Sequence, residues 1–325
     1  MSAVRALPAE RLQSVAIIGS GISGLSVAAA LHPEQHVTVY ESAGWIGGHT
    51  NTVDVEDDGR RLGIDTGFIV CNDRTYPNFL ALLERLGVPT QASEMTFSLQ
   101  HEVTGLEYSG STLGSLFAQR RNLVSPSFLR MLVEILRFNS QARASLAALD
   151  ERVTLGEWLA ERRYGRALID HYVVPMGRSI WSVGEDDMLG FPARFFMDFF
   201  VRHGLLSISN RPQWRTVVGG SREYVKALAA PFRARIRLAT PVLAVARRAG
   251  GVTVTLEGGH HERHDAVVFA CHADTALGLL ADPSVAEREV LGSFPFQANE
   301  AVLHTDERLL PRNPRARRLE LPPAP

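Results

Sequence analysis

Cysteine and lysine are nearly absent from this chain of 325 residues. The two cysteines, Cys71 and Cys271, stand far apart in the sequence, which excludes a disulfide framework and leaves no cluster of thiol ligands for zinc. A reducing compartment, the cytoplasm, is the expectation. Lys226 is the single lysine among 34 basic residues, so chemistry that needs a lysine amine has one candidate. Net charge is also lacking: 34 basic against 35 acidic side chains leave −1, and no basic stripe invites nucleic acid. Nor is there an uninterrupted apolar run of membrane-spanning length. The longest candidate, Val15 to Leu31, is broken by Gly19, Gly21 and Gly24 and is shorter than the roughly 20 apolar residues that cross hydrocarbon. The opening MSAVRALPAERLQS has no apolar run of the signal-peptide kind.

What is present is a globular composition, 45% apolar and 21% charged, ample for a packed core. The apolar run Val15 to Ile18 ends at a glycine-rich turn, Ile22 to Leu31 reads as a helix, and His36 to Tyr40 reads as a second strand. Pro77 to Leu86 places Phe79, Leu80, Leu83 and Leu86 on one helical face, with Gly87 as its αL stop. Further helices are expected from Ser125-Pro126 to about Ala148, after a Thr154/Glu157 capping box, and from Phe191 to His203. Alternation of period two returns at Ile236 to Leu238, Val242 to Ala246, Val252 to Leu256 and Ala266 to Ala270, with Gly250-Gly251 as a tight turn. DAVVFA is apolar at nearly every position and reads as a strand buried on both faces. The expected class is α/β, with a Rossmann-like nucleotide-binding domain in two parts, 11–74 and 215–291. A mainly helical segment, 75–214, interrupts it, and 292–325 begins a further segment with an atypical tail.

The densest chemistry is GSGISG. Gly19 suits the tight turn, Gly21 removes a side chain where a pyrophosphate approaches, and Gly24 permits close helix–strand packing, while the amides of Ile22 and Ser23 face the anion. Glu41 closes the second strand roughly 20 positions on, where a carboxylate accepts hydrogen bonds from a ribose. Gly47 and Gly48 allow close backbone approach or simply a flexible turn. Asp65 with Gly67 forms either a cofactor-side element or an Asx-turn, and Gly219-Gly220-Ser221 either caps the helix bearing Lys226 or approaches a cofactor. His260, His261 and His264 lie in a stretch that reads as a polar hairpin turn rather than a metal set. Phe191, Phe195, Phe196, Phe199 and Phe200 read as a core face, with an apolar cavity wall as the alternative.

ESAGWIGGHTNTV resembles the flavoprotein extension of the phytoene-desaturase and amine-oxidase superfamily. Ile64 to Val88, TGLEYSG at Thr104 to Gly110, LFAQRRN at Leu116 to Asn122, and Phe191 to Ser221 resemble blocks of bacterial NAD/FAD-dependent, amine-oxidase-like oxidoreductases. The resemblance covers nearly the whole chain. It implies FAD as cofactor and a GR2-type fold with a discontinuous FAD domain and a helical substrate domain. It places Gly47 and Gly48 against the pyrophosphate or flavin ring, puts His49 where many relatives carry arginine, and brings the backbone of Val242 near adenine. The implied activity is two-electron oxidation or desaturation of a small molecule, an apolar or lipid-like substrate among the options. One branch carries a flavin-facing lysine, and the region after Gly292 where it would stand has Asn299, Glu300 and His304 instead. The resemblance also implies a longer chain than one ending in RNPRARRLELPPAP. A shortened, catalytically inactive flavin-binding or redox-partner protein, in contact with a partner or a membrane surface, is therefore the alternative, and an NAD(P)-binding dehydrogenase is a third.

Overall fold

The computed structural model describes residues 13–207 and 211–317; the N-terminal residues and the last part of the Pro/Arg-rich tail lie outside them. The chain divides into two compact units. The first comprises the chain up to Ile69, Ala81–Gln91 and Thr216–Ala301; the second comprises Val70–Leu80, Ala92–Arg215 and the chain from Val302. The interleaving is finer than a single 75–214 insertion, because Ala81–Gln91 packs within the first unit, where Val218 N–H donates to Pro89 O at 3.1 Å.

A four-stranded parallel sheet organises the first unit. Its order is Ile236–Arg237, His36–Tyr40, Ser14–Ile18, Ala266–Phe269, with Ile17 beside Val39 on one flank and Val268 on the other. Helix Ile22–Leu31 is the crossover between the two central strands, which bury Val15, Ala16, Ile17, Val37 and Val39 almost completely; each such valine or isoleucine side chain contributes about 1.5–3 kcal/mol. An antiparallel meander, Val242–Arg248, Gly251–Leu256 and His261–His264, adds Val245, Val254 and Leu256 to the core around Ala16, Ile18 and Tyr40. Ala266–Phe269 corrects the expectation of burial on both faces: it is half-buried and stands at the edge of the sheet among the described residues. His261–His264 is likewise the meander's return strand rather than its turn, which Glu257–Gly259 supplies. The hairpin Thr52–Asp57/Arg60–Asp65 went unread in the sequence, because its alternation of charged with apolar residues is nearly all exposed or half-exposed.

His264 enters this core with a consequence for pH. The Tyr40 hydroxyl donates to Glu262 Oε2 at 2.8 Å, so His264 Nε2–H, also 2.8 Å away, donates to the phenol oxygen. Nδ1 is then buried without a partner. Burial pushes the Tyr40 phenol up and the His264 imidazole down from 6.5. A histidine whose folded pKa is depressed is protonated first in the unfolded chain, so stability falls as pH drops below 6.5 and levels off once the folded imidazole also titrates. Denaturant midpoints from about pH 8 to about pH 5 are expected to fall more steeply for the native chain than for His264→Asn. Parallel curves would remove His264 from the account.

In the second unit, Phe138, Trp158, Phe196 and Phe200 are fully buried at the centre of the helical core. Phe196 and Phe200 face inward on helix Ala193–Arg202 while Phe195 is exposed, so the phenylalanine cluster is chiefly core. The Thr154/Glu157 capping box starts Leu155–Glu161, and Ser125 caps Pro126–Ser145. Pro175 lacks the N–H that would bond the carbonyl of His171, and the helix opens into a π-turn over Ile169–Val173. The Tyr108 hydroxyl donates to the His171 carbonyl at 2.7 Å. Tyr108 belongs to a second unread hairpin, Ser98–His101/Leu106–Ser109, so this bond ties the hairpin to the helix. Among the described residues no helix is long and apolar enough to cross a membrane.

Candidate cofactor site

Three glycines of the first turn do three different jobs. Gly19 has φ +104°, and a Cβ there would lie 2.6 Å from Ala270 O; the turn passes too close to the neighbouring strand for a side chain. Gly24 holds the helix against the same turn, since its Cβ would fall 2.0 Å from Gly19 O. Gly21 is different. It has φ −68° and ψ 178°, a conformation open to any L-residue, and a Cβ there meets nothing within 4 Å. The chain itself gives no steric reason for glycine at 21. The space it leaves open lies over the start of helix Ile22–Leu31, which has no side-chain cap and whose first turn closes with Leu25 N–H donating to Gly21 O at 3.0 Å. A helix start without a side-chain cap, at the positive end of the helix dipole, is the kind of place that favours an anion.

Glu41 borders this opening. Its Oε2 accepts from Ser20 N–H at 2.9 Å and from the Ser20 hydroxyl at 2.6 Å, and Oε1 accepts from Ala43 N–H at 2.9 Å. Ser20 occupies both acceptor sites of Oε2, so a further donor would meet Oε1, where the Ser42 hydroxyl is a long partner at 3.4 Å. Gly47 and Gly48 form the opposite rim: Gly47 N–H donates to Ser20 O at 3.0 Å, Gly47 bridges to Gly21, and a Cβ on Gly48 would come 3.1 Å from Gly21 Cα. With φ +122° and +59°, both are turn glycines in the left-handed half of the map. His49 follows, its ring stacked on His272 at 5.3 Å, and His272 stacks in turn on Phe296 at 4.5 Å. Gly67 passes directly under His49, where a Cβ would lie 2.0 Å from His49 O.

Asp65 is directed elsewhere. Its carboxylate accepts from the Thr52 hydroxyl at 2.5 Å and from Ser221 N–H and hydroxyl at 3.0 Å. Thus Asp65, on Ser221 N–H, and the Thr52 hydroxyl, which accepts from Arg222 N–H at 3.0 Å, cap helix Arg222–Ala229 in place of the Ser221 side chain, so the expected Ser221 cap is corrected. Val242 opens the meander opposite Leu256 and is half-buried. Sequence reasoning overlooked Ser20, whose signal lay inside the glycine motif, and the Thr50–Tyr224 pair, which carries no motif at all.

The remaining nucleophile candidates are quiet. Burial pushes the thiols of both Cys71 and Cys271 up, away from the thiolate form. Among the described residues no group of three or more His, Cys, Asp and Glu is placed to hold a metal ion. Lys226 is exposed and pairs with Glu223 at 2.8 Å.

The sequence profile of the flavin containing amine oxidoreductases matches residues 22–323. The chain belongs to that family. AofH of Mycobacterium tuberculosis strains CDC 1551 / Oshkosh and ATCC 25618 / H37Rv, a flavin-containing monoamine oxidase by name, is 30% identical over 260 residues. The match covers 76% of this chain and 54% of AofH, so the chain spans about half the length of these curated relatives. Among solved structures, cyclohexylamine oxidase from Brevibacterium oxydans IH-35A gives a TM-score of 0.65 at 22% identity, covering 87% of this chain and 63% of that one. Putrescine oxidase bound to putrescine gives 0.62 at 20%, with 86% and 63% covered. A fatty acid isomerase from P. acnes gives 0.56 at 16%, again with 86% and 63% covered. These structures share the fold, an α/β chain with a Rossmann-like FAD-binding region and a helix-rich insertion.

Proposed function

We propose that the chain binds FAD and serves as an oxidoreductase of the amine-oxidase type. The observation that carries this reading is the open position over Gly21, framed by an uncapped helix start on one side and the Glu41 carboxylate on the other. That donor and acceptor set fits a dinucleotide: amides for the diphosphate, a carboxylate for a ribose diol. A bound flavin would accept the two electrons of an oxidised C–H or N–H bond.

This chain's residues hold and orient. Ile22 and Ser23 would offer backbone N–H groups to the pyrophosphate, Glu41 would fix the adenosine end, and Gly47 and Gly48 would bring the backbone close without a side chain. His49 replaces a long cation with an imidazole braced by His272. In the helical unit, a cleft of about 750 Å³ runs along the Tyr108-anchored hairpin and helix, with Gln100, His101, Arg166, Asp170 and Val174 in its walls. Its mixed lining suits a small molecule with both polar and apolar parts. Amines are the first substrates to try, since the relatives' names point there, followed by unsaturated acyl compounds.

The experiment is anaerobic mixing of the FAD-loaded chain with such a panel while flavin absorbance is followed. Substrate-dependent bleaching supports the reading. Bound flavin that nothing in the panel reduces favours a flavin-binding chain without turnover of its own, and a chain that takes up no FAD refutes both. Lys226→Met is expected to leave FAD affinity and the rate of any bleaching unchanged and to alter stability by less than about 0.5 kcal/mol, the range of an exposed pair. A selective loss of reduction would assign that lysine a chemical role.

A further inference from the structure

The Gly47–Gly48 rim is hydrogen-bonded, through Thr50, to a buried hydroxyl pair. Thr50 and Tyr224 are both buried, and their hydroxyls are hydrogen-bonded to each other. Thr50 N–H also donates to Gly47 O at 3.0 Å, and Gly47 N–H donates to Ser20 O at 3.0 Å. A continuous line of hydrogen bonds therefore runs from helix Arg222–Ala229, through Tyr224, Thr50 and Gly47, to the glycine motif itself. Gly47 sits against the same helix, its Cβ position 3.5 Å from Val225 Cγ2. Both loop glycines have positive φ, so the loop's own backbone preferences do not select this conformation, and an external tether must.

From this tether, and on the FAD reading above, we propose that Tyr224 is a positioning residue for the cofactor. Its hydroxyl holds the Gly47–Thr50 loop beside the opening over Gly21, where the diphosphate would lie. The phenol is suited to the task, because burial pushes its pKa up and keeps it a neutral hydroxyl. Asp65 reinforces the same end of the helix by capping Ser221 N–H, so the anchor point is itself fixed.

The test is Tyr224→Phe in the full chain, with Thr50→Val and Thr50→Ser beside it, and titration of each with FAD and with AMP. AMP carries the adenosine that Glu41 would hold but lacks the diphosphate and flavin that the loop would face. Tyr224→Phe and Thr50→Val are each expected to weaken FAD about tenfold, the size of one buried hydrogen bond, to leave AMP affinity unchanged, and to be non-additive when combined. Thr50→Ser, which keeps the hydroxyl, is expected to restore FAD affinity. A lowered unfolding midpoint with native FAD affinity would overturn the inference and make the pair purely structural, as would equal weakening of both ligands. Failure of the native chain to bind FAD would sink the cofactor reading itself, a result distinct from either.

Discussion

Gly21→Val is expected to cost FAD affinity more than about 100-fold, or about 2.7 kcal/mol, while leaving the fold intact. The two halves of that expectation come from one geometry. A Cβ at 21 meets no atom of the chain within 4 Å, and φ −68° with ψ 178° is extended backbone that valine readily adopts. The added methyl groups therefore point into the space where the diphosphate would lie, over the amides of Ile22 and Ser23. Unfolding midpoints of the variant without ligand should match the native chain, and FAD titration should show little or no saturation. A folded Gly21→Val protein with native FAD affinity would remove the diphosphate from this opening.

Gly67→Ala reverses the pattern. Here the added Cβ falls 2.0 Å from the His49 carbonyl oxygen, a backbone atom that cannot swing aside, and the bond from Phe68 N–H to His49 O at 3.0 Å must break or lengthen to admit it. The expected loss is about 3 kcal/mol or more of folding stability, read as a lower denaturant midpoint before any ligand is added. An alanine tolerated without loss would show that the strand end after Asp65 is looser than its packing indicates. Together the two variants separate glycines that clear room for a ligand from glycines that clear room for the chain.

That distinction marks how far the sequence could be read. The strand-turn-helix-strand from Ser14 to Tyr40 was legible almost to the residue, because GSGISG, the apolar runs and Glu41 agree on one local geometry. The same agreement singled out Glu41, whereas the Gly47–Gly48 turn was placed beside the cofactor by the family resemblance alone. The two hairpins, Thr52–Asp65 and Ser98–Ser109, were not legible: the first is charged and exposed along most of its length, and the second is four residues a side, with Glu107 buried on backbone N–H groups of Arg312 and Asn313 and Tyr108 tied to His171, partners that no local pattern encodes. Asp65 shows a subtler limit. Its proximity to the glycines suggested a cofactor-side role, but its hydrogen bonds reach Ser221, 156 positions away, and no local pattern encodes such a partner. Ala266–Phe269 shows the converse, in which an apolar run promised burial on both faces and the sheet order left it at an edge among the described residues.

The central claim is that the opening over Gly21 receives the diphosphate of FAD. Equilibrium titration of the purified, flavin-free chain with FAD tests it most directly. The geometry predicts saturable binding of one FAD per chain, competed by AMP and lost in Gly21→Val; a folded chain that shows no saturable uptake of FAD would contradict it.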